Sequence, residues 1–168
     1  MIHYISSDVG DVVGMNNSEN LGKEKSLILI VDDLKANLKL LTYILEAKGY
    51  QTSFAISGRD ALERLTVLTP DLILLDLMMP DLNGLEVCQR VKSNPDYRDI
   101  PIIFLTASQE EHHLIEAFEL GADDYVTKPF RKPELLRRVN TQITIRKQQQ
   151  KILTLQKQLE DMKSAVCA

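Results

Sequence analysis

Asp71-Leu72-Ile73-Leu74-Leu75-Asp76-Leu77-Met78-Met79-Pro80, running on to Gly84, is the stretch whose reading decides the fold. Leu72 to Leu75 form an unbroken apolar run that leads straight into Asp76, and Pro80 ends regular structure soon after. A short apolar run bounded by breakers predicts a strand buried on both faces, as in the middle of a parallel sheet. Such a strand delivers Asp76 to its carboxyl end, the edge at which open α/β sheets bind ligands. A charge there must meet solvent, a metal or a cationic partner, because burying it unpaired costs several kcal/mol. Asp76 is therefore read as the reactive centre.

Working outward, the same grammar repeats. Upstream, Ser26 to Val31 is another apolar run, and it ends in Asp32-Asp33. Leu38, Leu41, Ile44 and Leu45 then recur at helical spacing, with Gly49 placed to close the helix. Tyr50 to Ile56 reads as a short strand, and Ser57 can cap a helix whose inner face is Ala61, Leu62, Leu65 and Leu68. Downstream come a turn to Gly84, a helix through Leu85, Val87, Cys88 and Val91, and a strand from Ile100 to Leu105 leading into Thr106-Ala107-Ser108. A helix from about Gln109 to Leu120, a short strand from Asp123 to Val126 and Thr127-Lys128-Pro129-Phe130 lead into the last helix. Alternating strands and helices require parallel pairing through right-handed crossovers. The expected fold is α/β, a doubly wound five-stranded parallel sheet of flavodoxin-like order 2-1-3-4-5.

The 168 residues divide into an acidic body and a basic tail. Residues 1–130 hold 11 Lys/Arg against 21 Asp/Glu, whereas residues 131–168 hold 9 against 3. Residues 1–24, rich in Ser, Asn, Gly and Asp, read as a flexible leader, and residues 25–146 as the globular domain. Residues 147–168 read as a helical extension. From Lys132 the helix should continue to Val166, spanning roughly 50 Å at 1.5 Å per residue. Ile145, Ile152, Leu159 and Val166 fall at heptad position a, with Gln148, Leu155 and Met162 at d, which favours a parallel two-stranded coiled coil. A homodimer through residues 145–166 is expected. No secretory signal or membrane-length apolar run is present, and the two cysteines form no framework, so a cytoplasmic location and no membrane partner are expected.

Asp32, Asp33 and Asp76 end the first and third strands, which are neighbours in the expected order. Bare, they would repel and raise one another's pKa; a hard divalent cation relieves this, and Mg²⁺ suits a few oxygens and waters. Thr106 and Lys128 bring a hydroxyl and an ammonium to the same edge. Together these groups describe a site for a phosphoryl group carried on a carboxylate.

At these residues the chain resembles the receiver domain of bacterial two-component response regulators, over roughly residues 25–146. The resemblance rests on Asp32-Asp33, on Asp76 followed by Met79, Pro80 and Gly84, on Thr106-Ala107, and on Lys128-Pro129-Phe130 after Tyr125. It implies that Asp76 accepts a phosphoryl group from the phosphohistidine of a sensor histidine kinase. It implies Mg²⁺ ligation by Asp33, Asp76 and the main-chain carbonyl of Met78, with Asp32 helping through water. Lys128 would pair with the phosphoryl oxygens, the Lys128-Pro129 bond would be cis, and Thr106 and Tyr125 would act as the switch pair. Output would pass through the fourth helix, fifth strand and fifth helix and through the tail to a downstream protein. No catalysis is expected beyond self-phosphorylation and slow self-dephosphorylation, with Met78 and Ser108 offering no strong base.

The same residues admit other readings. The chain could be the receiver-plus-linker part of a hybrid kinase or nucleotide cyclase. An aspartyl-nucleophile phosphatase would want an acid two residues after the nucleophile, where Met78 stands. His112 and His113, beside Glu110 and Glu111, read as a solvated helix face, and Cys88 as a small core residue. The tail's cations lie along an amphipathic helix without aromatics or a recognition motif, which argues against nucleic acid.

Overall fold

The computed structural model describes residues 25–107 and 111–167, without the side chains of residues 111 and 112. Five strands, β1 (Leu27–Val31), β2 (Gln51–Ala55), β3 (Leu72–Asp76), β4 (Ile102–Thr106) and β5 (Asp124–Thr127), pair in parallel in the order β2-β1-β3-β4-β5. Alternating side chains feed two cores. Leu29, Val31, Ile73, Leu75 and Phe104 pack against α2 (Gly58–Leu65), α3 (Gly84–Ser93) and α4 (Glu111–Glu119). Ile28, Ile30, Leu72, Leu74 and Leu105 pack against α1 (Lys35–Glu46) and α5 (Lys132–Val166). Because β3 lies between β1 and β4 with a helical layer on each face, all five of its residues are buried. That burial is what the continuous apolar run encodes.

Local chemistry sets the element ends. Ser57 caps α2 by accepting from the Asp60 amide, and Asn83 with Glu86 forms a reciprocal capping box at α3. Gly49 and Gly121 adopt positive φ after α1 and α4. Three expectations shift. Helix α2 stops at Leu65, so Leu68 lies beyond it; the Thr66 hydroxyl turns back onto the Glu63 carbonyl, and Pro70 follows. Strand β5 begins at Asp124, because the Asp123 carboxylate brackets the sheet edge by accepting from the Ile102 amide and the Lys92 ammonium. His113 is half-buried at the edge of a cavity with Met79 and Leu85 rather than on a solvated face. The leader, Ser108 and the His112 side chain lie outside the described residues. Among the described residues, no helix is long and apolar enough to cross a membrane.

Helix α5 runs unbroken over the expected span. Its stripe Leu135, Val139, Ile143 and Arg146 is buried against the body, and Arg146 donates to the Asp99 carbonyl. Ile145, Ile152, Leu155, Leu159 and Met162 are exposed. At roughly 100° per residue the two stripes lie on nearly opposite sides of the helix. The heptad seam is therefore largely turned away from the body, although Ile152 borders a cavity that Asp99 and Ile100 also line.

Candidate functional site

The carboxyl ends of β1 and β3 are adjacent because the strands pair directly, with Val31 opposite Leu75. Each run ends in acids, and Asp32, Asp33 and Asp76 each present a carboxylate oxygen within 4.8 Å of the others. Asp32 is 0% exposed and Asp76 4%. Asp32 is held in place by the Leu34 amide at 2.8 Å and the Asn37 side-chain amide at 2.9 Å. It thus serves the start of α1 as well as the pocket. Asp33 is the more open of the three.

Lys128 closes the pocket from β5. Its amide donates to the Thr106 carbonyl at 2.8 Å, which fixes where the chain leaves the sheet. Its ammonium stands 2.9 Å from Asp32 Oδ2 and 3.1 Å from Asp76 Oδ1. Burial presses the Lys128 pKa down, but the hydrogen bond to Asp32 and the charge of Asp76 outweigh it, so the group lies above its ordinary value. The Asp76 carboxyl is pushed up, chiefly by burial; Lys128 opposes this and Asp32 adds to it. The expected repulsion between the acids is present, as a smaller cause than loss of water.

Thr106 is buried at the end of β4, in register with Thr127. The Lys128-Pro129 bond is cis. Met78 leans its amide toward Asp76 Oδ1 at 3.4 Å while its side chain faces solvent. Tyr125 stands apart from the acids: its ring meets Phe118 edge-on at 6.1 Å and lies 5.6 Å from the Arg138 guanidinium, on the α4–β5–α5 face. One contributor escaped the sequence reading. Asn37 holds Asp32, and its only signal is its place in the first turn of the helix after the acids. Gly84 is needed as glycine, because a Cβ would collide with the Asp76 carbonyl and sit 2.9 Å from the Leu77 Cα.

Three carboxylates facing one ammonium leave two formal negative charges in a pocket where Asp32 and Asp76 are buried and Asp33 is more open to solvent. Hard oxygen donors with that residual charge fit a divalent cation.

A doubly wound sheet with an acid-and-lysine pocket at the carboxyl end of its central strands places the chain among the α/β proteins that bind ligands at that edge. The chain belongs to the response regulator receiver domain family, whose model matches residues 28–140. The phosphate regulon transcriptional regulatory protein PhoB of Rhizobium meliloti is 42% identical over 116 residues, 69% of this chain and 51% of PhoB. A receiver domain of a signal transduction histidine kinase from Syntrophus aciditrophicus is 38% identical, with TM-score 0.67, over 71% of this chain and 90% of that one. The receiver domain of a sensor histidine kinase from Pseudomonas aeruginosa, solved with magnesium coordinated in its active site cleft, is 28% identical, with TM-score 0.67, over 72% of this chain and 99% of that one. The chain spans about half the length of the curated relatives it matches.

Proposed function

We propose that this chain is a phosphorylation-controlled switch in which Asp76 takes a phosphoryl group from the phosphohistidine of a sensor histidine kinase. The observation that carries the reading is the Lys128 ammonium bridging Asp32 and Asp76 beside a third carboxylate. An Asp76 oxygen bonds to phosphorus as the phosphorus–nitrogen bond to the kinase histidine breaks. Lys128 then exchanges its carboxylate contact for the phosphoryl oxygens, and the buried Thr106 hydroxyl stands at the neighbouring strand end to approach them. Asp33, Asp76 and the Met78 carbonyl would hold Mg²⁺, with Asp32 acting through water; the ion would neutralise phosphoryl charge. The Pseudomonas aeruginosa neighbour with its magnesium supports that assignment. Tyr125, on the face between α4 and α5, is the residue to turn inward once Thr106 moves, altering that face for a partner.

The direct test is incubation with acetyl phosphate. With Mg²⁺ the full chain gains one phosphoryl mass, and with EDTA it gains none. The adduct lasts minutes or longer, because the exposed Met78 side chain cannot act as a base toward water. Absence of a mass gain under Mg²⁺ defeats the proposal; a lifetime of seconds defeats the lifetime claim.

For the domain plan we infer a receiver over residues 25–146, a dimerising tail over residues 147–168 and a cytoplasmic location. The exposed seam opposite the body-facing stripe supports a parallel pair. Cutting the chain after Arg146 is expected to convert a dimer into a monomer in light scattering; an unchanged mass removes the coiled coil from the account. A second reading, part of a larger hybrid kinase or nucleotide cyclase, is favoured by the unbroken α5 and by a neighbour that is itself the receiver of a histidine kinase. The expectation against nucleic acid draws no support from kin such as PhoB, named a transcriptional regulatory protein.

A further inference from the structure

A hollow separates the base of the tail from the loop between α3 and β4. Asp99 and Ile100 lie just before β4, so it opens at the amino end of the sheet, the opposite edge from Asp76. Its volume of about 550 Å³ is within the range that holds small molecules. The wall on the tail is one face of α5, because Arg146, Gln149, Gln150 and Leu153 follow at intervals of three and four residues. The wall on the body is Asp96, Asp99 and Ile100.

Arg146 distinguishes this hollow from a surface crease. Its side chain is 8% exposed, its Nη1 donates to the Asp99 carbonyl, and among the described residues its Nε has no hydrogen-bond partner. Asp71 and Asp99 act on it through their charge and only partly offset its loss of water. Buried donors in folded proteins are as a rule met, so an acceptor is due at this nitrogen. The Nε–Nη2 side of a guanidinium offers two parallel N–H groups, the arrangement that receives a carboxylate.

The other charges narrow what carries that carboxylate. Asp96 and Asp99 are exposed, border the same cavity and outnumber the guanidinium. A simple anion would be repelled by both acids, whereas a molecule with an ammonium beside its carboxylate is attracted at both ends. Ile100, Ile152 and Leu153 supply an apolar lining for a short side chain, and the Gln149 and Gln150 amides can donate and accept.

We propose that this hollow binds a free α-amino acid with an aliphatic side chain. Its carboxylate meets the Arg146 guanidinium, its ammonium turns toward Asp96 and Asp99, and its side chain lies against Ile100 and Leu153. The site takes no part in phosphoryl chemistry.

The test is an NMR titration of the full isotope-labelled chain with L-leucine. Amide signals of Asp99, Ile100, Gln149 and Leu153 should shift saturably, while those of Asp76 and Leu105, at the far edge of the sheet, stay in place. Isocaproate, which lacks the ammonium, and isoamylamine, which lacks the carboxylate, should each bind roughly tenfold more weakly or worse. Arg146→Gln should remove the shifts. Because that change can also loosen the base of the tail, Asp96→Asn with Asp99→Asn, both at exposed positions, serves as the second variant. It should weaken L-leucine several-fold and leave isocaproate no weaker. No saturable shift at millimolar L-leucine overturns the proposal, as do isocaproate shifts of equal strength or shifts centred on the Asp76 pocket.

Discussion

Asp76→Asn is expected to abolish phosphoryl uptake completely while making the metal-free protein more stable. The first half follows because the amide offers no anionic oxygen to phosphorus. The second follows from the environment of the carboxyl. Asp76 is almost wholly buried, and its pKa is raised above the ordinary 3.8, first by burial, with Lys128 opposing and Asp32 adding. A carboxyl whose folded pKa exceeds its unfolded one favours the folded state below the unfolded pKa, and that advantage is lost as pH rises through the folded pKa. At neutral pH the ionised group therefore works against the fold. Asparagine removes the charge and keeps the shape, and Lys128 retains Asp32. Thermal unfolding in EDTA should show a higher midpoint for the variant near neutral pH, with the difference shrinking toward pH 4. Adding Mg²⁺ should narrow the gap from the other side, since the wild type binds it more strongly. A lower midpoint for the variant in EDTA would mean that Asp76 is a stabilising partner of Lys128 rather than a charge held at a cost.

Much of this architecture was legible in the residues because parallel central strands write themselves plainly. Leu72 to Leu75 and Ile102 to Leu105 are apolar without interruption, since helices cover both faces, while the strand order is that of the flavodoxin-like fold the resemblance implies. The ends of elements were harder. Leu68 kept the helical rhythm past α2, but rhythm does not record a threonine hydroxyl that returns to its own helix. The acidic pair was visible as a pair; which member lies inside was not. Asp32 is enclosed because Asn37 and Lys128 converge on it, and Lys128 lies 96 residues away. Contacts at that separation are set by the sheet rather than by local pattern. The rise in the Asp76 pKa was legible as repulsion from a neighbouring acid, but its larger cause was not: charge is countable in a sequence, whereas loss of water depends on what packs around the carboxyl.

The tail poses the reverse case. Its helix is fully legible, from Lys132 to Val166, yet what covers its outer stripe is a matter of association. Arg146 marks the change of regime. It is the last residue of α5 buried against the body, and burial holds its guanidinium below the ordinary range despite Asp71 and Asp99 nearby. Beyond it every residue of α5 is exposed. A long helix with only its first part packed gains little from propensity alone, so the outer part needs a partner to be firm.

Lys128→Ala is expected to have the largest effect on stability of any change in the pocket. Among the described residues, the substitution leaves Asp32, which is 0% exposed, with the Leu34 amide and the Asn37 side chain as partners. Removing one member of a buried ion pair strands the other, at a typical cost of about 3 kcal/mol or more. The loss should be read by urea unfolding in EDTA, and Asp32→Asn in the same chain should recover much of it, because the stranded charge is then gone. Mg²⁺ should also recover part of it, since a cation held by the three acids replaces the missing ammonium. Phosphoryl uptake from acetyl phosphate is a separate readout. Without the ammonium that meets the equatorial oxygens, the rate should fall by roughly 10²-fold even in saturating Mg²⁺. Lys128→Arg should keep most of the stability and recover less of the rate, because a planar fork cannot stand where a point charge bridges Asp32 and Asp76 at 2.9 and 3.1 Å. Equal stability of Lys128→Ala and wild type in EDTA would show that Asp32 is satisfied without the lysine, and the bridge could not then be what organises the pocket.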